Sequence, residues 1–288
     1  MYTYAYLRGF DDQTTKTTTS TDQAVVLRYL RQVTKRIEGM THRVFVPETK
    51  THIIGYAEIV TRRMARMLEL NQHVILSVTS ITAAGNTVSS SNYRLFPYSV
   101  SPASMIEAIN NSTWLDSLND TDDQISIAGV FGYRTNYSRD GWLNSLDTVQ
   151  DGSGINTTAT TITVTDADGA DYNGETPRFT PGQVIRVDDE FMIVSATNTS
   201  TNVLTVLRGA LGSTAATHDN GTQIDVWTVE PEIARAAQLI AAYNFDNRGK
   251  FTRTSFDGQF LTSGIEIPDE ATAILARYQH VFFGNTAG

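Results

Sequence analysis

Between residues 181 and 227, apolar and polar positions alternate in short runs. These are Val184-Ile185 with Val187, Phe191 with Ile193-Val194, Val203-Leu204 with Val206-Leu207, and Ile224 with Val226. β-Branched residues in alternation, bounded by Asn, Asp, Gly and Ser clusters, predict four short strands. The first two join across Asp188-Asp189-Glu190, and Thr161-Ile162-Thr163-Val164 adds a fifth candidate. On both sides of this stretch the period changes. Val26, Leu30, Val33 and Ile37 recur at three and four residues and predict a helix over 22–38. Ser20 and Gln23 open it at capping-box spacing, and Gly39 is its expected stop. Pro231 opens a second helix with Ile233, Ala236, Ala237, Ile240 and Tyr243 on one side. A third begins at Pro268-Asp269-Glu270, with Ala271, Ile274, Leu275, Tyr278 and Phe282 turned inward.

Further strands are predicted over 74–81, 93–96, 105–109 and 125–133, forming a small antiparallel β region. Gly129 and Gly132 in the last of these predict a bulge or a close backbone approach. Residues 57–70 read both ways: Met64, Ala65, Met67 and Leu68 favour helix, yet 66–70 alternate as a strand would. Residues 140–154, with Gly141, Gly152 and Gly154, read as a loop, and 255–264 as another. The expected class is α+β, a helical core with a small antiparallel β region plus an inserted all-β module of barrel or sandwich type. Its divisions are an extended arm over 1–20, a discontinuous core over 21–139 and 228–288, and a β domain over 140–227. Tyr2, Tyr4, Tyr6 and Phe10 suggest that the arm docks on its own subunit or a neighbour, while the polar run 11–20 packs no core.

Composition narrows the function. The 288 residues include no cysteine, which excludes disulfides, thiolate metal sites and a Cys nucleophile. No basic leader followed by an apolar run opens the chain, and no run approaches the ~20 apolar residues of a membrane span, so the expectation is a soluble protein made inside the cell, with no membrane partner. The net charge is −9 and unevenly spread. Residues 151–227 carry ten acids against three arginines, which is −7 of it. Such a surface repels phosphate and argues against sequence-specific DNA binding. In contrast, Arg28, Arg31, Lys35 and Arg36 lie off the apolar stripe of the first helix. That basic face fits phosphate, an acidic partner or plain solvent, and Tyr4, Tyr6, Arg28, Arg31 and Lys35 are the candidate subunit-interface residues.

No pattern for catalysis emerges. The five histidines are scattered, without an HExxH or HxH pair. Gly249-Lys250 lacks the upstream glycine and the following Ser or Thr of a phosphate loop. Asp166, Asp168 and Asp171 are the best metal candidates, able in principle to hold calcium. However, the glycine is misplaced for an EF-hand loop, Pro177 stands where its glutamate belongs, and an Asx-rich turn is the alternative. Asp122-Asp123 and Asp188-Asp189 are adjacent, which on a strand points them to opposite faces, unsuited to shared acid–base work. No nucleophile elbow appears. The chain is expected not to be an enzyme and to need no cofactor.

The order of its phrases resembles the head–tail connector (adaptor) proteins of tailed bacteriophages. The helix over 22–38 comes first, then THRVFVPETKTHII, then LELNQHVILSVTSITAAGNTVSSSNYRLFPY. The strand ISIAGVFGYR follows, with its Gly-x-x-Gly-Tyr ending, and PEIARAAQLIAAYNF and IPDEATAILARYQH close the series. Together they span about 200 residues on both sides of the β module. By this resemblance 57–70 is extended in part. The departure is the module itself, since such adaptors pass almost directly from the GVFGYR strand to the late helix. The module is similar to one found widely in phage structural proteins.

The resemblance implies a homo-oligomeric ring, commonly a dodecamer, docked on the portal protein in the virion neck after synthesis in the bacterial cytoplasm. It would lead genomic DNA through its lumen without reading sequence and contact a tail, stopper or nozzle protein below. In such proteins the C-terminal segment commonly engages the portal, which here makes Tyr278, Val281, Phe282 and Phe283 the candidate anchor. The alternative is another tail, collar or baseplate protein whose β module binds a glycan or partner protein. A glycan site calls for arranged aromatics, and between 181 and 227 only Phe191 and Trp227 are aromatic. A depolymerase is the third reading, without a nameable acid pair or nucleophile.

Overall fold

A computed structural model describes residues 1–6, 20–64, 66–70, 74–116, 118, 123–247, 253–256, 259–262 and 267–280. It is a mixed α+β chain of helices and antiparallel sheets. Helix α1 (Ser20–Thr41) buries Val26, Leu30, Val33 and Ile37, as their spacing requires. It runs past Gly39, because Thr41 returns its hydroxyl to the Ile37 carbonyl at 2.7 Å and the left-handed turn falls instead at His42, φ +54°.

Strand β1 (Glu48–Gly55) leads into α2 (Tyr56–Arg62), β2 (Arg63–Met64) and β3 (Met67–Glu69). The ambiguous 57–70 stretch therefore divides into a short helix and two short strands. β4 (Ile75–Ala83), β5 (Asn86–Val88), β6 (Tyr93–Phe96), β7 (Met105–Ala108) and β8 (Gln124–Phe131) complete the first half. They form two four-stranded sheets, ordered β1-β8-β4-β5 and β2-β3-β7-β6. Between the sheets lies a core that includes Ile54, Leu68, Ile81, Ile106, Ile125 and Ile127.

The second half opens with β9 (Trp142–Thr148), where a loop was expected. The hydrophobic pattern there is inverted. Ser145 and Asp147 point inward and are buried, while Leu146 is exposed, so alternation reads as absent. Asp147 tolerates the interior because it accepts the N–H groups of Thr148, Thr165 and Asp166 and pairs with Arg178 at 3.0 Å. Next come β10 (Thr161–Thr163), β11 (Val184–Val187), β12 (Glu190–Asn198), β13 (Val203–Leu207) and β14 (Gln223–Trp227), the five strands expected from alternation. The six form one sheet, ordered β10-β13-β12-β11-β14-β9, over a separate core that includes Ile162, Phe179, Ile185, Val194 and Leu204.

Helices α3 (Pro231–Asp246) and α4 (Asp269–Tyr278) return to α1. Between them β15 (Arg253–Phe256) and β16 (Gln259–Thr262) make a hairpin where a polar loop was expected. The third core gathers Leu30 and Ile37 of α1, Ala237 and Ile240 of α3, Leu275 of α4, and Val184 and Trp227 of the six-stranded sheet. Chain beginning, middle and end thus share one interior. No helix among the described residues is long and apolar enough to cross a membrane.

Candidate functional site

The residues just after β8 tie the separate phrases of the chain together. Gly129 faces the backbone of Ser77 so closely that an added Cβ would collide with its carbonyl oxygen, and β4 bulges beside it at Ile75–Ser77 and Val78–Ser80. Gly132, at φ +145°, abuts the Val46 carbonyl in the same way. Both glycines therefore allow close backbone approach, as the sequence suggested.

The approach brings Tyr133 into place. Its N–H donates to the Val44 carbonyl at 2.7 Å. Its ring packs edge-on to Phe45 at 5.6 Å and to Tyr278 of α4 at 5.8 Å, and Phe45 and Tyr278 stand 5.8 Å apart, closing a three-ring cluster. The Arg43 guanidinium lies 4.4 Å from the Tyr133 ring centre. Beside it a cleft of about 190 Å³ is lined by Glu38, Arg43, Glu48, Lys50, Phe131 and Gly132, among others. Arg134, next in the chain, is buried against Glu230 at 3.2 Å, the residue immediately before α3. Glu230 also accepts the Thr135 N–H at 2.5 Å. The motif GVFGYR thus grips the segment before β1, the start of α3 and the end of α4.

Tyr278 is half-buried, its hydroxyl pKa pushed up by burial and by Glu232 as acceptor. Just beyond it, the His280 N–H donates to the Thr41 carbonyl at 2.9 Å, so the chain leaves α4 at the end of α1. Val281, Phe282 and Phe283, the rest of the expected anchor, lie outside the described residues.

The expected interface residues divide. Tyr4 is 1% exposed inside its own chain's core, so the arm docks on its own subunit there. Tyr6 is half-buried, its hydroxyl donating to the Trp227 carbonyl at 3.2 Å. Phe10 and the polar run after it lie outside the described residues. Arg28 and Lys35 are exposed and Arg31 is half-exposed on the outer face of α1.

The acidic loop around residues 166–175 is folded about an arginine. Arg178 donates to the carbonyls of Ala170 at 3.1 Å and Asp166 at 3.0 Å. Asp171 caps its own turn, accepting the N–H groups of Asn173 and Glu175, and Asp168 is exposed. Asp166, Asp168 and Asp171 are not brought together. Among the described residues no group of three or more His, Asp or Glu side chains is placed to hold a metal ion.

Sequence reasoning missed a second cluster. Glu190 is wholly buried and accepts from Arg208 Nε and Nη2 at 2.7 and 2.8 Å, and from the N–H groups of Gly209 and Ala216 at 2.8 Å. His218 Nε2 lies 2.9 Å from it, and Nδ1 lies 2.7 Å from Asp188. Acids at a hairpin turn read as solvated, and only the fold brings residues 208–218 over it. The available signal was an Arg-Gly pair at 208–209 and a His at 218, flanking a loop with no other charge.

No protein-family model matches the chain, and no curated protein does. Among solved structures it is similar to a chain described as the neck of an empty GTA particle, computed with C6 symmetry. The identity is 13%, the TM-score 0.32, and the alignment covers 96% of this chain and 89% of that one.

Proposed function

We propose that the chain is a structural, non-enzymatic protein of a tailed-phage virion: a ring-forming adaptor at the head–tail neck. It would sit between the portal and the tail or next neck component and extend the DNA channel. The observation that supports this best is the convergence at Tyr133. Three of the six phrases whose order resembles phage adaptors, those containing HRVFV, GVFGYR and AILARYQH, meet there in one aromatic cluster. These phrases thus share one physical role, packing around Tyr133.

The same geometry supports an anchor. With His280 held at the end of α1, the last described residues lie beside the aromatic cluster rather than at a remote helix tip. Val281, Phe282 and Phe283 then offer an apolar hook to the portal. Deleting 281–288 should leave the fold intact and abolish capture on immobilised portal rings; retained capture would refute the anchor. The placement itself is tested by electron microscopy of particles made without this gene. DNA-filled or leaking heads without tails support the neck. Complete tailed particles that fail to infect would move the protein to the tail tip.

A further inference from the structure

We propose that the outer face of α1 docks on the acidic end of the β sheet of a second copy of this chain. The two surfaces are built from opposite charge and lie on different parts of the molecule. On α1, Arg28, Arg31 and Lys35 repeat at three and four residues, a stripe roughly 10 Å long at the helical rise. It faces away from Val26, Leu30, Val33 and Ile37, which fill the core.

On the sheet, Asp188 and Asp189 form the turn between β11 and β12, and both are exposed. Asp219 is exposed beside them, because its neighbour His218 bonds Asp188 at 2.7 Å. The arginines of this region do not offset that charge: Arg208 is buried on Glu190, and Arg186 is held by Asp225 at 2.6 Å.

Within one chain the two surfaces do not meet among the described residues. Lys35 bonds Glu38 and Tyr2, and Asp188 bonds His218. A second copy is the occupant that matches both surfaces at once, since each copy brings the complement of what it lacks. A contact between two different patches is heterologous, so it repeats head to tail and closes into a ring or runs on as a filament. This inference rests on the neck reading and gives its ring a specific contact. Held by exposed charge, the contact weakens with salt.

Two variants test it. One reverses the arginines of the stripe (Arg28→Glu, Arg31→Glu), sparing the Lys35–Glu38 bond; the other reverses the sheet end (Asp189→Lys, Asp219→Lys), sparing the Asp188–His218 bond. The first is then acidic on both surfaces and the second basic on both. Sedimentation of the purified full chain at low ionic strength should show each variant alone self-associating on the order of tenfold more weakly than wild type. An equimolar mixture should regain association, and carbodiimide should join Lys35 to Asp188, Asp189 or Asp219 between wild-type copies. Circular dichroism confirms that both variants are folded, and recovery in the mixture excludes misfolding as the cause. Wild type that stays monomeric, or variants that associate unaided as wild type does, would overturn the contact. Variants that still form rings on the portal would overturn the contact alone, whereas wild type that forms no ring on the portal would overturn the neck reading.

Discussion

Glu190 and Arg208 lie in parallel, carboxylate to guanidinium, with both side chains almost wholly buried. The pair sits where β13 ends and the chain turns back over the β11–β12 hairpin. Gly209 and Leu211 follow at φ +55° and +54°, and Gly212 at φ +81° lies so close to the Thr49 carbonyl that a Cβ would collide with it. One carboxylate therefore fixes the loop by which the six-stranded sheet touches β1. Replacing Glu190 with Gln leaves the Arg208 charge buried against a neutral amide. The expected loss is about 3 kcal/mol in urea unfolding.

Acid should have the same effect on the wild type. Burial pushes the Glu190 carboxyl up, but Arg208, the Ala216 and Gly209 N–H groups and His218 outweigh it and hold it at about 2, below the ordinary 4.5. A lowered carboxyl contributes fully above its unfolded value, and the contribution is lost as pH falls from about 4.5 toward 2. Stability measured across that window should drop steeply in wild type and less steeply in Glu190→Gln. Equal slopes would show that the carboxylate is not the hub of the loop.

The two glycines of GVFGYR make a sharper test of backbone packing. Gly132→Ala meets the Val46 carbonyl at a φ that side chains avoid, and Gly129→Ala meets the Ser77 carbonyl. Each should cost at least about 2 kcal/mol. Gly152 has open space around its Cβ position and ordinary φ, so Gly152→Ala should change stability by less than about 0.5 kcal/mol. Thermal unfolding of the three variants compares them directly.

The contrast between these glycines and β9 marks what could be read from sequence. Period, turn residues and glycine placement gave the helices, the five strands of 161–227 and the close approach at β8, because these follow from local backbone and side-chain chemistry. β9 stayed hidden because its inward positions are Ser145 and Asp147, and their partners Arg178, Thr165 and Asp166 are distant in sequence. The Glu190 cluster escaped for the same reason. Of the proposed site, Tyr278 was legible as an inward helix position, but its neighbours Phe45 and Tyr133 come from two other phrases.

Arg134 and Glu230 should behave as a coupled buried pair. Arg134→Met strands the Glu230 carboxylate beside α3 with only backbone donors, at a cost of about 3 kcal/mol. Adding Glu230→Gln should recover most of it, because the uncompensated charge is gone. A double variant as unstable as the sum of the singles would mean that the pair acts through packing rather than charge.

The arm offers the most local prediction. The Tyr2 and Tyr4 hydroxyls both donate to Glu38 Oε1, at 2.7 and 2.9 Å, and Lys35 Nζ holds Oε2 at 2.6 Å. The Tyr4 hydroxyl also accepts the Phe45 N–H at 2.9 Å, and the Thr3 N–H reaches the Gly182 carbonyl at 3.0 Å. The arm thereby spans α1, the segment before β1 and the start of the β11 region. Tyr4→Phe removes the donor to Glu38 and strips the buried Phe45 N–H of its acceptor, costing about 2 kcal/mol. Glu38→Gln keeps an acceptor for both hydroxyls and should cost less, about 1 kcal/mol.

Burial and the Glu38 charge push both phenols above their ordinary pKa of 10. Their stabilising effect is complete below that value and is lost as pH rises beyond it. Hydrogen exchange at Thr3, Tyr4 and Ala5 should therefore speed up above about pH 10 in wild type, and already at neutral pH in Tyr4→Phe, before α3 or β8 exchanges. Arm amides that stay as protected as those of α3 in Tyr4→Phe would mean that apolar packing, not the shared carboxylate, holds the arm.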